Sequence, residues 1–258
     1  MRQVVFSITI FMFLFNPHLF SQEQEETLKP PQKYGRDKIG GAGGFTPSWL
    51  FLNVDPINEV LGKNNAGTLS KGGIPLYGGG GYAYLMFLTN LRIGGMGSGG
   101  SMKAKSYQRS TNITRNVELS IGYGGVTIDY VVPILQRLDI AFGILLGGGG
   151  MDIKMTWDKG FGVEWDTVWD EFGGNTYGDR QIGYSRTLSG SFYIYQPSIS
   201  MEYAILRWLG VRVGVGYNGM AGGSWKLDDK FDLLGVPEDI HAKGLMLNAG
   251  IFLGMFTY

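Results

Sequence analysis

An all-β fold, eight antiparallel strands running up and down and closed into a transmembrane barrel, is predicted by three observations. Long stretches alternate oily residues with small, polar or charged ones. Glycine is abundant inside apolar, aromatic-rich segments rather than in linkers. The connections between the alternating stretches are short and long in strict turn. The clearest stretch is Ser191–Gly222. Tyr193, Tyr195, Pro197, Ile199, Met201, Tyr203 and Ile205 share one face, and Leu209, Val211, Val213, Val215 and Tyr217 continue it after a turn at Leu206–Trp208. A period of two sustained on both sides of a tight turn is a β-hairpin. Its other face, with Gly210, Gly214, Gly216 and Gly222, makes a poor soluble exterior, so the oily face is assigned to lipid.

Composition narrows the class. The chain has 258 residues, 43 of them glycine, and 17% are charged, against about 25% in ordinary soluble domains. The formal charge is zero and there is no cysteine. This leaves no basic footprint for nucleic acid, no disulfide framework and no thiol chemistry. Residues 1–21 read as a secretory leader: Arg2 starts it, Val4–Phe15 is its apolar core, and Asn16-Pro17 precedes a cut after Ser21. That core is too short to span a bilayer as a helix. With no longer apolar run, a membrane-resident mature chain must cross as a closed barrel.

In chain order, residues 22–38 form a polar periplasmic tail, and the barrel occupies 39–258. The first strand covers about 39–52. Asp55-Pro56, Ile57–Leu61 and Gly62 carry the cap, first-turn proline and terminal glycine of a short helix. Further strands follow at about 73–88, 91–105, 116–132 and 138–157, then the hairpin, then about 242–258. The joints Thr89-Asn90, Pro133–Arg137 and Leu206–Trp208 are short. The loops Val54–Gly72, Ser106–Arg115, Asp158–Leu188 and Lys226–His241 are long. Short periplasmic turns and long outer loops produce this alternation, whereas Greek-key links would not.

In this architecture the chain resembles the eight-stranded outer-membrane barrels of the OmpA transmembrane-domain, OmpX and OmpW class. The resemblance covers about residues 39–258 and rests on no motif, so it assigns no functional residue. It implies an outer-membrane monomer that meets outer-membrane lipids and the barrel assembly machinery. The alternating Phe252, Phe256 and Tyr258 match that class's terminal assembly signal. Leu245, Leu247, Ala249, Ile251, Leu253 and Met255 form the cleaner oily face, of opposite parity. Either a bulge near Gly250 or Gly254 shifts the register, or Tyr258 does not face lipid.

Glycine clusters mark most strands. Across Gly122–Gly125 and Gly147–Gly150 the oily parity flips, which reads as β-bulges. With those bulges the interior receives Glu118, Asp129, Asp152, Lys154, Glu202 and Arg212, and Tyr82 and Tyr84 face lipid. Glu202 and Arg212 share the inner face of paired strands and are expected to form a lumen ion pair, because buried charges need partners. Trp49, Trp157 and Trp225 near the outer strand ends and Trp208 at a periplasmic turn are expected to form the aromatic girdles.

The loop 158–188 interleaves Trp165, Trp169, Phe172, Tyr177 and Tyr184 with Glu164, Asp166, Asp170, Glu171 and Asp179. It is expected to be a hairpin extension, with Trp165, Asp166, Trp169 and Asp170 as candidate ligand contacts. His241 is the one histidine after the leader, too few for a histidine-built metal site. No cofactor, metal site or catalytic residue is expected. The expected role is structural or surface-binding through the outer loops, with a lumen filled by side chains. Three alternatives stay open: a narrow carrier for a small apolar molecule, a lipid-modifying enzyme using His241 with Ser224 or another loop serine, and a secreted lipocalin-like binder.

Overall fold

The computed structural model describes residues 40–85, 87–160, 162, 164–173 and 183–256. The expected leader, the tail, Met86, Tyr177, Asp179 and Tyr258 lie outside the described residues, as does the side chain of Glu171. The elements are β1 (Gly41–Phe45), β2 (Ser48–Leu52), α1 (Asp55–Lys63), β3 (Ile74–Tyr84), β4 (Leu91–Gln108), β5 (Ile113–Leu135), β6 (Leu138–Asp158), α2 (Trp165–Phe172), β7 (Gly183–Leu206), β8 (Leu209–Leu227), β9 (Phe231–Asp232) and β10 (Gly244–Gly254). β1 and β2 form one stave interrupted at Thr46-Pro47, where proline has no N–H to give the ladder. β9 only extends the hairpin of β8. Eight staves therefore stand in an up-and-down ring, closed where β10 pairs with both β8 and the β1/β2 stave.

Closure is staggered. Leu50 pairs directly with Ile74. Followed the other way round, through Met246, Gly216, Ser198, Gly143, Asp129 and Arg92, the same row reaches Tyr84, ten residues along β3. Such a stagger tilts strands by about 35–45°, and eight strands leave room only for side chains or one small ligand.

Several local expectations are corrected. The first turn is longer than Thr89-Asn90: Leu85 donates to Leu91 across it at 2.9 Å, and Asn90 takes φ 64°. That length puts Ala83 beside Ile93 outside, and Tyr82 and Tyr84 inside with Arg92. The second turn is shorter than expected, since pairing runs to Leu135 and Leu138. The helix is found at Asp55–Lys63, but Val54 is its N-cap and Asn64 its C-cap, with Gly62 inside it. In β10 the pairing runs unbroken from Gly244 to Leu253, so no bulge there explains the terminal parity.

The expected bulges in the glycine clusters are also absent. β4, β5 and β6 pair without a register shift through Gly94–Gly100, Gly122–Gly125 and Gly147–Gly150. The odd residues of β5 point inward throughout, and what changes is the chemistry each face carries. Toward the short turns Val126, Ile128 and Tyr130 are exposed on the outside while Asp129 is inside. Beyond the glycines, Val117, Leu119, Ile121 and Tyr123 are buried inside and Glu118 and Ser120 lie outside. β6 repeats this, with Phe142, Ile144 and Leu146 outside below and Met151 and Ile153 inside above. Consequently Glu118, Asp152 and Lys154 face outward rather than into the lumen, and Glu118 pairs with Lys103 on the surface at 3.4 Å.

The outer half of the lumen is a dry core. Leu50, Ile74, Leu76, Leu119, Met151 and Met246 are fully buried there, and α1 lowers Ile57 and Leu61 onto them. Asn58 staples the following loop by donating to the Leu69 carbonyl at 3.0 Å and accepting the Leu69 N–H at 2.7 Å. The inward glycines suit this narrow bore. A Cβ on Gly147 would come within 2.0 Å of the Gly124 carbonyl, whereas one on outward Gly122 would meet nothing within 4 Å.

Candidate functional site

Below the dry core the interior is ionic. Arg92, 1% exposed, donates from Nε to Asp129 Oδ2 at 2.8 Å and approaches Glu202 Oε2 at 3.4 Å. Arg212, directly opposite Glu202 in the ladder, donates from Nε to Glu202 Oε2 at 2.9 Å and contacts the same oxygen through Nη2. Tyr82 donates its hydroxyl to Glu202 Oε1 at 2.7 Å. Both guanidinium groups lie over its ring, Arg92 at 4.1 Å and Arg212 at 4.9 Å from the centroid, and Arg212 also covers Phe252 at 4.2 Å. Two cations and two anions balance, and aromatic faces shelter the cations. A neighbouring cavity of about 60 Å³, lined by Thr46, Gln196, Ser198, Asn248 and others, has room for about two waters.

Glu202 and Arg212 thus meet in the lumen, and Arg92 and Tyr82 join them. Arg92 had a sequence signal: with Ile93 outward, strand alternation puts Arg92 inward, opposite Asp129. Tyr82 had none, because its direction depends on the length of the turn.

The girdle assignments divide. Trp49 lies outside and donates Nε1 to the Gly72 carbonyl at 2.7 Å, and Trp208 is 57% exposed at the short β7–β8 turn. Trp157 instead stacks on Tyr184, its ladder partner on the elongated β6–β7 hairpin, with centroids 6.5 Å apart. Trp225 packs on the dry core. A slip in the β7–β8 ladder reverses the parity of β8 above Ala221 and turns Trp225 inward.

The long outer loop combines both features of a stem and a head. β6 and β7 stay paired out to Asp158 and Gly183, and α2 forms beyond them. Trp165, Val168, Trp169 and Phe172 recur at helical spacing on one face. Trp165 is 74% and Phe172 86% exposed. The rings pack edge-to-face on each other, Trp165–Trp169 at 5.7 Å and Trp169–Phe172 at 6.3 Å. Asp166 and Asp170 occupy a different side at i, i+4 spacing. The aromatic and acidic members of the expected ligand set are therefore segregated rather than convergent.

At the last loop, Ser224 Oγ lies 3.2 Å from Ser191 Oγ. Among the described residues no hydrogen bond joins Ser224 to His241, whose Nδ1 is buried without a protein partner. The neighbouring turn is held by Asp228, which accepts the Thr187 N–H at 2.9 Å and contacts Arg186. The Thr187 hydrogen bond and then Arg186 hold the Asp228 carboxyl below the usual aspartate range.

A closed antiparallel barrel, apolar outside around the half beside its short turns and ionic inside it, defines a transmembrane β-barrel protein. No protein-family model and no curated protein matches the chain. Among solved structures it is similar to a major outer membrane protein from Thermus thermophilus, with 8% identity, TM-score 0.45, and 84% of this chain and 99% of that chain covered. The attachment invasion locus protein Ail of Yersinia pestis matches at 10% identity and TM-score 0.38, covering 84% and 97%. The outer membrane protease OmpT from Escherichia coli matches at 10% identity and TM-score 0.32, covering 90% and 99%.

Proposed function

We propose that this chain is an outer-membrane protein of a Gram-negative envelope that holds binding loops at the cell surface, and that it is neither an enzyme nor a channel. The observation that carries this reading is the aromatic ridge of α2, raised on the long β6–β7 stem. Burying a large apolar side chain is worth about 1.5–3 kcal/mol, so four such side chains left in water favour a partner. The packed outer lumen weighs against a carrier, which needs an open bore. The exposed apolar band of the periplasmic half weighs against a secreted binder. The separation of Ser224 from a base weighs against nucleophilic chemistry at His241.

The absence of cysteine makes a direct test available. Thr167→Cys on α2, expressed in a Gram-negative host, is expected to react with a membrane-impermeant maleimide in intact cells. The protein is expected in the outer-membrane fraction, running as a compact gel band that shifts only on boiling, and giving no ion conductance in planar bilayers. Labelling only after lysis would overturn the orientation, and steady conductance would overturn the filled lumen.

A further inference from the structure

We propose that a half-open cavity under the last outer loop binds a pyranose sugar. This rests on the surface reading only for the side of the membrane on which the sugar is met, not for the binding itself. The cavity measures about 280 Å³, close to the lower end of the ~300–1,000 Å³ typical of small-ligand sites.

The fold builds this space from two sides. On one, the chain returns from β9 toward β10, and fully buried Asn218 ties it down by donating Nδ2 to the Ala242 carbonyl at 2.8 Å. On the other, the β7–β8 ladder slips between the pairs Ser191–Ser224 and Tyr193–Ala221. Gly222 and Gly223 fill the slip with φ +65° and +144°, angles that favour glycine. The bulge has two consequences. It leaves both glycines without a pairing partner in the ladder at the cavity wall. It also places Trp225 opposite Gly190, with the indole against bare backbone, where a Cβ on Gly190 would come within 2.9 Å of the ring.

The lining selects the ligand. Trp225 offers an aromatic surface, and Glu238, Lys243 and His241 line the cavity as its polar residues. Neither Glu238 nor Lys243 has an ion-pair partner among the described residues. An anion would meet Glu238 and a cation would meet Lys243. A purely apolar ligand would cover both charges without bonding to either, at a cost in desolvation. The remaining class is neutral, donates to a carboxylate, accepts from an ammonium, and has one apolar face. A pyranose has all four properties: its hydroxyls donate and accept, and its C–H face stacks on indole. The volume suits a single ring with a short substituent.

The test uses the full mature barrel in lauryldimethylamine oxide, a detergent without a sugar headgroup. Methyl β-D-glucopyranoside, methyl β-D-galactopyranoside and L-phenylalanine are titrated in turn while tryptophan fluorescence and saturation-transfer NMR are followed. Saturable binding of a glycoside is expected at about millimolar dissociation constants. Glu238→Gln and Lys243→Gln are each expected to weaken it about tenfold, the order expected for one charge-assisted hydrogen bond. Glu59→Gln on α1 is expected to leave it unchanged. The boiling-dependent gel shift confirms that each variant is folded. Absence of saturation with both glycosides, or binding by Glu238→Gln and Lys243→Gln as tight as that of the unaltered protein, overturns the site. Saturation by L-phenylalanine alone overturns the ligand class. Binding to purified protein does not depend on membrane orientation, and maleimide labelling does not depend on sugar, so the two readings fail separately.

Discussion

The two ends of β5 and β6 are built to opposite rules within the same strands. In β5, Val126 is 51% exposed on the outside, and Val117, nine residues along, is 3% exposed inside. No bulge separates them; the surroundings change. The half beside the short turns has its oily face outside and keeps Arg92, Asp129, Glu202 and Arg212 within. Beyond the glycines these strands are folded like a small soluble protein, with Leu119 and Met151 inside and Glu118, Asp152 and Lys154 outside. Alternation in a strand says that one face is oily. Whether that face is the inner or the outer one depends on the solvent at that height.

The sharpest way to break this comparison is to remove an anion from the inner half. Glu202→Ala leaves Arg92 and Arg212 facing one another without their shared carboxylate. Breaking a buried pair in this way costs about 3–5 kcal/mol, read as a lower urea midpoint for loss of the compact gel band. An unchanged midpoint would mean that the cluster is hydrated and contributes nothing to stability.

Next in size is an arginine scan along the outward face of β6. Ile144→Arg is expected to cost about 2–4 kcal/mol if it lies near the bilayer midplane. Asp152→Arg, on the same face of the same strand, is expected to stay within about 0.5 kcal/mol. The step between Leu146 and Asp152 would locate the edge of the hydrocarbon. A uniform cost along the strand would show that the two halves share one solvent.

A smaller effect separates lipid from protein as neighbours. Leu119→Val in the dry core removes one methylene and leaves a void, for about 1 kcal/mol. Ile128→Val on the lipid face makes the same deletion where acyl chains refill the gap, so its loss should be clearly smaller. Equal losses in matched urea unfolding curves would refute the assignment of the outer face to lipid.

The smallest effect concerns the Asp228 clamp outside the membrane. Its folded carboxyl is depressed, chiefly by the Thr187 hydrogen bond and then by Arg186. The clamp's stabilisation is therefore fully present above the ordinary aspartate value of about 3.9. It is lost as pH falls through the lower folded value. The Thr187 amide resonance should report this acid transition, and Asp228→Asn should abolish it.

Much of the barrel was legible in the one-dimensional pattern. The outward row Val126, Ile128, Tyr130, Phe142, Ile144 repeats every second residue, and short and long joints alternate. These features are local, and β geometry turns them into staves and their order. Glu202 opposite Arg212 was legible for the same reason, because they flank a tight turn on one face. The direction of Tyr82 was not, since a turn of different length reverses every side chain in the strand before it. The inversion across the glycine clusters was not legible either. A bulge between like environments and a straight strand between unlike ones write the same sequence. Their difference lies in the long-range closure of eight tilted staves and in what surrounds each height of the barrel. The rim cavity is likewise non-local: it joins the bulge at Gly222-Gly223 to a loop returning from β9, and Asn218 brings them together.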